Sequence, residues 1–459
     1  MLLAEVGISV LIICKFSNKW TCTRKKEVEG LSCGFEVKLI TTSDWHIGNL
    51  FHGSDRLPEH RHFLQWLLSQ LRAQQPDALL VAGDVFDNGN PSAAAQSAYY
   101  EFLDEATQTC PDLHIIITAG NHDSASRLEA PRALLTRQRV EVRGHVHRTW
   151  QQEEEGGRWV IDYEDLMIPL TGRTGDRVVV LAVPFLRSDV VQNSCYSQGV
   201  TDLLRQLTDR ARELYPDTPI VMMAHMYAKG ADIAERDASE RIIIGGQEEV
   251  EMGDWENHPD YLTCGHIHKR QHIWNTRWAR YTGSILPMSF AEKDYHHGVD
   301  LVTTEADGRW RVDFLEYEPQ HPLRILPETD EAMSPKKLQK IIKTALPDRV
   351  DGLLGDDFVY LVLKVKTEKA SNDEIKALHA LVETKNAVLC KTQRVIDDID
   401  LTTMTGQEEI HSIDDILNRD PLETLKETFA IKHNAEMTAH QEQMLRHLIE
   451  TIHTDQEKA

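Results

Sequence analysis

An apolar run that ends in a glycine and an aspartate, residues 79–84, constrains the fold of this chain more than any other segment. The four apolar residues from Leu79 to Ala82 are typical of a strand that is buried on both faces in a parallel sheet. Gly83 then permits a sharp turn, which places Asp84 at the carboxyl end of the strand. Ligands of open α/β sheets bind at that edge. A single Gly-Asp is more often a turn than a ligand site, so the interpretation depends on the other strands.

Four further predicted strands also end in side chains that bind metals. They lead into Asp44-x-His46, Gly120-Asn121-His122-Asp123, Ala224-His225 and Gly265-His266-x-His268. Carboxylate, imidazole and amide oxygen ligands suit Mn²⁺, Fe²⁺ or Zn²⁺. In extended backbone, residues i and i+2 point to the same side, so each of the two x-spaced pairs can bind one ion. A bridging carboxylate such as Asp84 can hold two cations roughly 3.5–4 Å apart. The pattern predicts a metal centre, whereas we interpret the pair His145-x-His147 as surface.

The order of predicted elements indicates an α/β fold. Strands and helices alternate from Lys38 to Ile117, which predicts parallel strands with right-handed crossovers. A helix is expected at about 127–137, followed by strands that include 159–170 and 281–285. We therefore expect residues 37–322 to form two sheets packed face to face with helices outside.

The remaining segments differ in character. Residues 323–399 predict a small α+β domain with two helices. Residues 400–459 predict a helical tail whose apolar stripe packs on its own domain or docks a partner helix. Residues 1–36 contain a short apolar run without the charge pattern of a signal peptide, so we expect an extension outside the fold, with Val37 as a candidate native start.

Composition excludes several classes of protein. The net charge of −23 argues against nucleic-acid binding through bulk positive charge. Divalent cations would reverse the local sign at an acidic site, and a partner could supply a basic surface. The seven cysteines include no Cys-x-x-Cys pair, which suits a reducing cytoplasm. We expect no membrane span, because no apolar run is long enough.

The strand-end motifs resemble those of the calcineurin-like metallophosphoesterases, and most closely the nuclease subunits of that family that work with an SMC-type ATPase. The resemblance covers residues 38–300. It rests on 42–48, 83–87, 120–124, 239–246, 281–284 and 289–290. It implies a two-sheet αββα metallophosphoesterase sandwich, a DNA-recognition cap at 323–399 and a partner-binding tail at 400–459.

The resemblance also implies the ligands of two divalent metals, with Mn²⁺ as the favoured ion. The first ion would take Asp44, His46, Asp84 and His268. The second would take Asp84, Asn121, His225 and His266. His122 would be the catalytic acid that protonates the leaving oxygen, although it could instead only hydrogen-bond Asp123. Some relatives carry a histidine where this chain has Asp87, so a role of that histidine in orienting DNA is in doubt here.

The function that the resemblance implies is a DNA exonuclease and endonuclease. It would cleave double-strand ends and hairpins in DNA repair, as a homodimer within a heterotetramer with the ATPase, in the cytoplasm at the nucleoid. One alternative is a small-substrate phosphodiesterase or a protein phosphatase on the same fold. Protein phosphatases of this family carry an arginine where this chain has Asn88. A non-catalytic scaffold is the third alternative, and it is disfavoured because no ligand position is lost.

Overall fold

The computed structural model describes residues 37–395, except 154–155, 192–194, 233–248, 252, 254, 306–308, 330 and 367–370. The expectations for the extension at 1–36 and for the tail at 400–459 lie outside the described residues. The chain divides into two units, the first covering Met1–Lys364 and Ser371–Gln393, the second Val365–Ala370 and Arg394–Ala459. The site and all the helices below lie in the first unit.

The described residues form nineteen strands, seven α-helices and three 3₁₀ turns. The strands are β1 (Lys38–Thr42), β2 (Leu50–Phe51), β3 (Ser54–Asp55), β4 (Ala78–Ala82), β5 (His114–Thr118), β6 (Val140–Arg143), β7 (Arg148–Glu153), β8 (Gly156–Ile161), β9 (Met167–Thr171), β10 (Arg177–Ala182), β11 (Ile220–His225), β12 (Tyr261–Gly265), β13 (Gln271–His272), β14 (Ala279–Tyr281), β15 (His297–Thr304), β16 (Trp310–Tyr317), β17 (Leu323–Leu326), β18 (Val359–Lys366) and β19 (Ala387–Val395). The helices are α1 (Leu57–Gln74), α2 (Ala93–Thr109), α3 (Ala125–Glu129), α4 (Arg132–Leu135), α5 (Tyr196–Leu214), α6 (Pro335–Ala345) and α7 (Asn372–Glu383). The 3₁₀ turns are Thr136–Gln138, Glu164–Leu166 and Phe290–Glu292.

The first sheet has the strand order β16-β15-β1-β4-β5-β6. Its last four strands are parallel, and β15 and β16 add an antiparallel edge. Side chains alternate between the two faces. Ile40 and Leu79 pack in the core beneath α1 and α2, whereas Leu39 and Leu80 pack in a core shared with the second sheet. Both faces are apolar, which explains the continuous hydrophobic strands.

The second sheet has the order β13-β14-β12-β11-β10-β9, with parallel central strands. Leu203 and Leu207 of α5 pack with Leu181 and Met222 on its outer face. Val180 and Val221 pack instead in the core shared with the first sheet. The layers are therefore helix, sheet, sheet, helix, and the predicted αββα sandwich is confirmed.

Residues 323–395 form a third sheet, β17-β18-β19, together with α6 and α7. A capping box of Ser371 and Glu374 begins α7. Tyr360 and Val362 of β18 share an apolar cluster with Phe51 and Phe290. Residues 323–395 thus pack on the sandwich beside the segment that leads into β15.

Three local predictions were wrong. The single helix expected at 127–137 is interrupted, because Pro131 has no amide hydrogen and separates α3 from α4. The strand expected at 159–170 is two strands, β8 and β9, with the turn Glu164–Leu166 between them. The strand expected at 281–285 ends at Tyr281, and Gly283 follows with a φ of 81°.

Among the described residues, no helix combines the length and the apolar character that are needed to cross a lipid bilayer.

Candidate metal centre

The loops after β1 and β4 are joined by backbone hydrogen bonds. The N–H of Asp44 donates to the carbonyl of Gly83 over 3.1 Å, and the N–H of His46 donates to the carbonyl of Asp84 over 2.9 Å. These loops leave the carboxyl ends of two neighbouring parallel strands. The sheet edge therefore brings Asp44, His46 and Asp84 together, as the strand-end pattern predicted.

Four of the candidate ligands have backbone in the left-handed region. The φ angles are 51° at Asp44, 46° at His46, 49° at Asp84 and 100° at His266. Non-glycine residues rarely adopt this region, and such strained residues cluster at functional sites. Four of the seven predicted metal ligands therefore carry this kind of backbone strain, which residues elsewhere in the chain also show.

Glycines allow the loops to approach one another. A Cβ added at Gly120 would lie 2.1 Å from Oδ1 and 2.2 Å from the backbone nitrogen of Asp84. A Cβ at Gly265 would lie 2.1 Å from the carbonyl oxygen of Ala82. These glycines are required by close backbone packing, because the contacts with the backbone nitrogen of Asp84 and the carbonyl oxygen of Ala82 cannot be relieved by rotating a side chain.

The predicted ligands converge on one site. Ligand atoms of three groups lie within 4.8 Å of one another: Asp44 with His46 and His268, Asp44 with Asp84 and His225, and His46 with Asp84 and His122. Oδ1 of Asn121 lies 3.0 Å from Nε2 of His225 and 3.0 Å from Nδ1 of His266. All seven predicted metal ligands and the predicted acid are therefore gathered at one edge of the sandwich.

Hydrogen bonds fix the orientation of two imidazole rings. Nδ1 of His268 lies 2.9 Å from Oε1 of Glu292, and Nδ1 of His225 donates to the carbonyl of Ala82 over 2.9 Å. Each bond leaves Nε2 as the nitrogen that can bind an ion. Nε2 of His46 is buried and has no hydrogen-bond partner. A buried nitrogen without a partner fits a metal ligand, because it is costly otherwise.

The electrostatics centre on Asp84, which is 2% exposed. Burial alone would raise the pKa of its carboxyl, but His225 and His46 reverse that effect and lower the pKa. Burial would likewise lower the pKa of His225, but the charge of Asp84, whose Oδ2 lies 3.3 Å from its Nε2, raises it to about 9. The carboxyl of Asp84 and the ring of His225 thus each favour the charged form of the other.

The other rings respond to burial and to their partners. Burial lowers the pKa of His46 well below its usual value and that of His266 to about 3. Burial also acts on His268, but Glu292 outweighs it and raises the pKa of His268 to about 9. Burial raises the pKa of the Asp44 carboxyl. The buried carboxylates thus favour positive charge in the site. With side chains alone, that charge is a proton on His225 and a proton on His268.

This donor set fits divalent cations. Oxygen and imidazole ligands without cysteine suit Mn²⁺ or a similar ion, and cations would displace the protons that the carboxylates attract. When bound, two such ions supply Lewis acidity at a phosphoryl group and activate water near neutral pH. Asp84 shares one of the ligand groups with Asp44 and His225 and another with His46 and His122.

His122 lies beside these ligands with its backbone and its ring both held. Its N–H donates to Oδ1 of Asp84 over 2.9 Å, and its Nδ1 donates to the carbonyl of Asp87 over 2.9 Å. Nε2 is then the nitrogen from which a proton can pass to a leaving oxygen. The carboxylate of Asp123 accepts instead from the backbone N–H groups of Val85, Phe86 and Gly120.

Asp87 is the residue at which the resemblance leaves a DNA-orienting role in doubt. Its carboxylate accepts from Nδ2 of Asn49 over 2.8 Å and lies 3.7 Å from Nδ1 of His46. It therefore lines the side of the site next to His46. His145 and His147 are both exposed and bond Ser126 and Glu129 respectively, and neither belongs to a ligand group.

Two supporting residues were missed by sequence analysis. Glu292 contacts His268 as described above, and Oγ of Ser43 donates to Oδ2 of Asp44 over 2.5 Å. Ser43 also lies 2.7 Å from Oγ1 of Thr282, from another strand end. The only sequence signal for Glu292 was the pattern Ser289-x-x-Glu292, which marks a capped turn without indicating what the glutamate contacts.

Comparisons with known proteins agree with this geometry. The profile of the Calcineurin-like phosphoesterase family matches residues 37–270. The SbcD subunit of the SbcCD nuclease from Rhodobacter capsulatus is 34% identical over 358 residues, which cover 76% of this chain and 84% of that protein. The SbcD protein of Escherichia coli K12 is 28% identical over 441 residues, or 91% of this chain and 98% of that one. The SbcD protein of Bacillus subtilis is 29% identical over 268 residues, covering 58% of this chain and 66% of its own.

The family profile covers half of the chain, and the Rhodobacter capsulatus relative is matched over most of its length. The chain therefore belongs to the calcineurin-like phosphoesterase family, in the branch that contains the SbcD proteins of the SbcCD nuclease.

Proposed function

We propose that the chain is the nuclease subunit of an SbcCD-type complex. It is an SbcD-like, metal-dependent hydrolase of phosphodiester bonds, acting on DNA double-strand ends and hairpins in repair. Its partner is an SbcC-like ATPase of the SMC type, and two copies of each protein make a heterotetramer in the cytoplasm, at the nucleoid. The observation that supports this proposal most strongly is the convergence of Asp44, Asp84 and four histidine ligands in a chain that aligns with SbcD proteins over most of its length.

The site residues divide into ligands and an acid. Two Mn²⁺ ions are held, one by Asp44, His46, Asp84 and His268, the other by Asp84, Asn121, His225 and His266. Nε2 of His122 gives its proton to the leaving oxygen, a contribution that is typically 10²–10⁴-fold in rate. The strongly negative chain relies on the ions and the ATPase for attraction to the DNA backbone.

The test is cleavage of duplex DNA ends and of DNA hairpins by the purified chain in Mn²⁺, with and without its ATPase partner and ATP. We expect metal-dependent cleavage that the partner stimulates, and none by Asp84→Ala. Hydrolysis of small phosphodiesters with no DNA cleavage under any combination would contradict the proposal and favour the small-substrate phosphodiesterase.

A further inference from the structure

We propose that Glu292 is a positioning residue for one of the two metal sites, and that it acts by holding the ring of His268. The inference rests on the proposed metal centre and deepens it. The two proposed ions then differ in what their histidine ligands contact. Nδ1 of His268 lies next to a carboxylate, whereas Nδ1 of His225 donates to a backbone carbonyl.

The contact itself is well fixed. Oε1 of Glu292 lies 2.9 Å from Nδ1 of His268, and Oε2 accepts the backbone N–H of Met288 over 2.8 Å. The residue is 8% exposed. Since both carboxylate oxygens are engaged and the side chain is buried, the carboxylate cannot rotate away without losing two hydrogen bonds.

The segment that carries Glu292 is held by several contacts. Oγ of Ser289 accepts the N–H of Ala291 at the start of the turn Phe290–Glu292. Just before it, the carbonyl of Pro287 accepts from Nη1 of Arg56, which is fully buried. The ring of Phe290 packs 5.5 Å from that of Phe51. The carboxylate is thus presented to His268 by a segment that is anchored at Pro287 and at Phe290.

A carboxylate behind an imidazole ligand does two things. It fixes the tautomer and the ring orientation, and its negative charge makes the nitrogen that binds the metal a stronger donor. The carbonyl of Ala82 also fixes the tautomer and orientation of His225, but it strengthens the metal-binding nitrogen less, because it carries no full negative charge. Loss of such an outer partner typically weakens metal binding 10–100-fold. Glu292 therefore selectively strengthens the site that contains His268.

The test is titration of Mn²⁺ into the metal-depleted full-length chain by calorimetry, with Glu292→Gln as the variant, which keeps the size but removes the charge. We expect two binding events in the unaltered protein. In the variant, one should weaken 10–100-fold and the other should be unchanged. The matched control is Glu316→Gln, because Glu316 also pairs with a histidine, His296, but on an exposed surface. Its isotherm should match the unaltered protein.

A double-mutant cycle with His268→Gln shows whether Glu292 acts through the ring. Once His268 is removed, Glu292→Gln should have no further effect on affinity. Glu292→Asp, which keeps the charge, should lose less affinity than Glu292→Gln, and it also serves if the glutamine variant does not fold.

The inference is overturned if Glu292→Gln leaves both affinities unchanged, weakens both equally, or weakens one to the same extent when His268 is absent. A larger loss in Glu292→Asp than in Glu292→Gln would also overturn it. If the proposed two-metal site is itself wrong, the unaltered protein will bind fewer than two Mn²⁺ ions. That result is distinguishable from a failure of the inference about Glu292.

Discussion

The backbone N–H of His122 donates to Oδ1 of Asp84 over 2.9 Å, so the proposed acid and the proposed bridging ligand are tied by a direct hydrogen bond. The two residues come from the ends of adjacent parallel strands. We therefore expect a change that moves the carboxylate of Asp84 to move His122 as well. Experiments on the acid must show that the metals have stayed in place.

Substitutions at Asp84 and at Asp87 distinguish the proposed bridging ligand from the carboxylate next to it. Asp84→Ala should remove both metals and abolish cleavage, because both proposed ligand sets share this carboxylate. Asp87→Ala should keep both metals, since its carboxylate bonds Asn49 and lies 3.7 Å from His46. Metal analysis of the purified variants checks this, and two retained metals in Asp84→Ala would refute the bridging role.

His122→Asn should abolish DNA cleavage while both metals and DNA binding are kept. A nitrophenyl phosphodiester needs little acid assistance, because its leaving group is already good, so its hydrolysis should fall much less than that of DNA. The comparison is made by steady-state rates on both substrates. Equal losses on both, at unchanged metal content, would make His122 a structural or substrate-positioning residue.

Gly120→Ala should destabilise the protein and reduce its metal content. The new Cβ would lie 2.2 Å from the backbone nitrogen of Asp84, so the loop must shift, at a cost of about 1–3 kcal/mol or more. Gly89→Ala is the control, because the nearest atom to its Cβ would be 3.6 Å away. Thermal unfolding and metal analysis of both variants decide the matter, and a similar result for the two would refute the packing argument.

Acid should destabilise the fold partly through His60, which is fully buried in α1. Burial, aided by the nearby Arg56, lowers its pKa to about 4 from a usual value of 6.5. Above pH 6.5 the ring of His60 is neutral in both the folded and the unfolded chain, so its titration takes nothing from the free energy of unfolding. As the pH falls towards 4, His60 takes up a proton in the unfolded chain before it does so in the folded one. The free energy of unfolding therefore falls by about 2 kcal/mol between pH 7 and pH 5.

Urea unfolding at these two pH values tests the role of His60. The loss of stability on going to pH 5 should be smaller in His60→Gln than in the unaltered chain by about that amount. His145→Gln, at an exposed position, should leave the loss unchanged. An identical pH dependence in His60→Gln and the unaltered chain would contradict the assignment.

The sequence was most informative where the backbone itself places a side chain. Asp84 follows an apolar strand and a glycine, and parallel strands bring such ends to one edge whatever the surrounding loops do. Pro131 carried an equally local signal, which should have divided the predicted helix. The contact of Glu292 with His268 could not be predicted in this way, because it depends on how a turn between β14 and β15 folds back against the loop after β12.

The buried pair of Arg56 and Glu59 bears on how this protein can be divided. Nε of Arg56 donates to Oε1 of Glu59 over 2.9 Å, and the hydroxyl of Tyr360 donates to the same oxygen over 2.9 Å. Tyr360 lies in the third sheet, which residues 323–395 form, so a fragment ending at Pro322 would uncover a buried ion pair and the aromatic rings around it. A sandwich produced alone would therefore need new partners for Arg56 and Glu59, and a chimera that exchanges residues 323–395 must keep compatible residues at the start of α1.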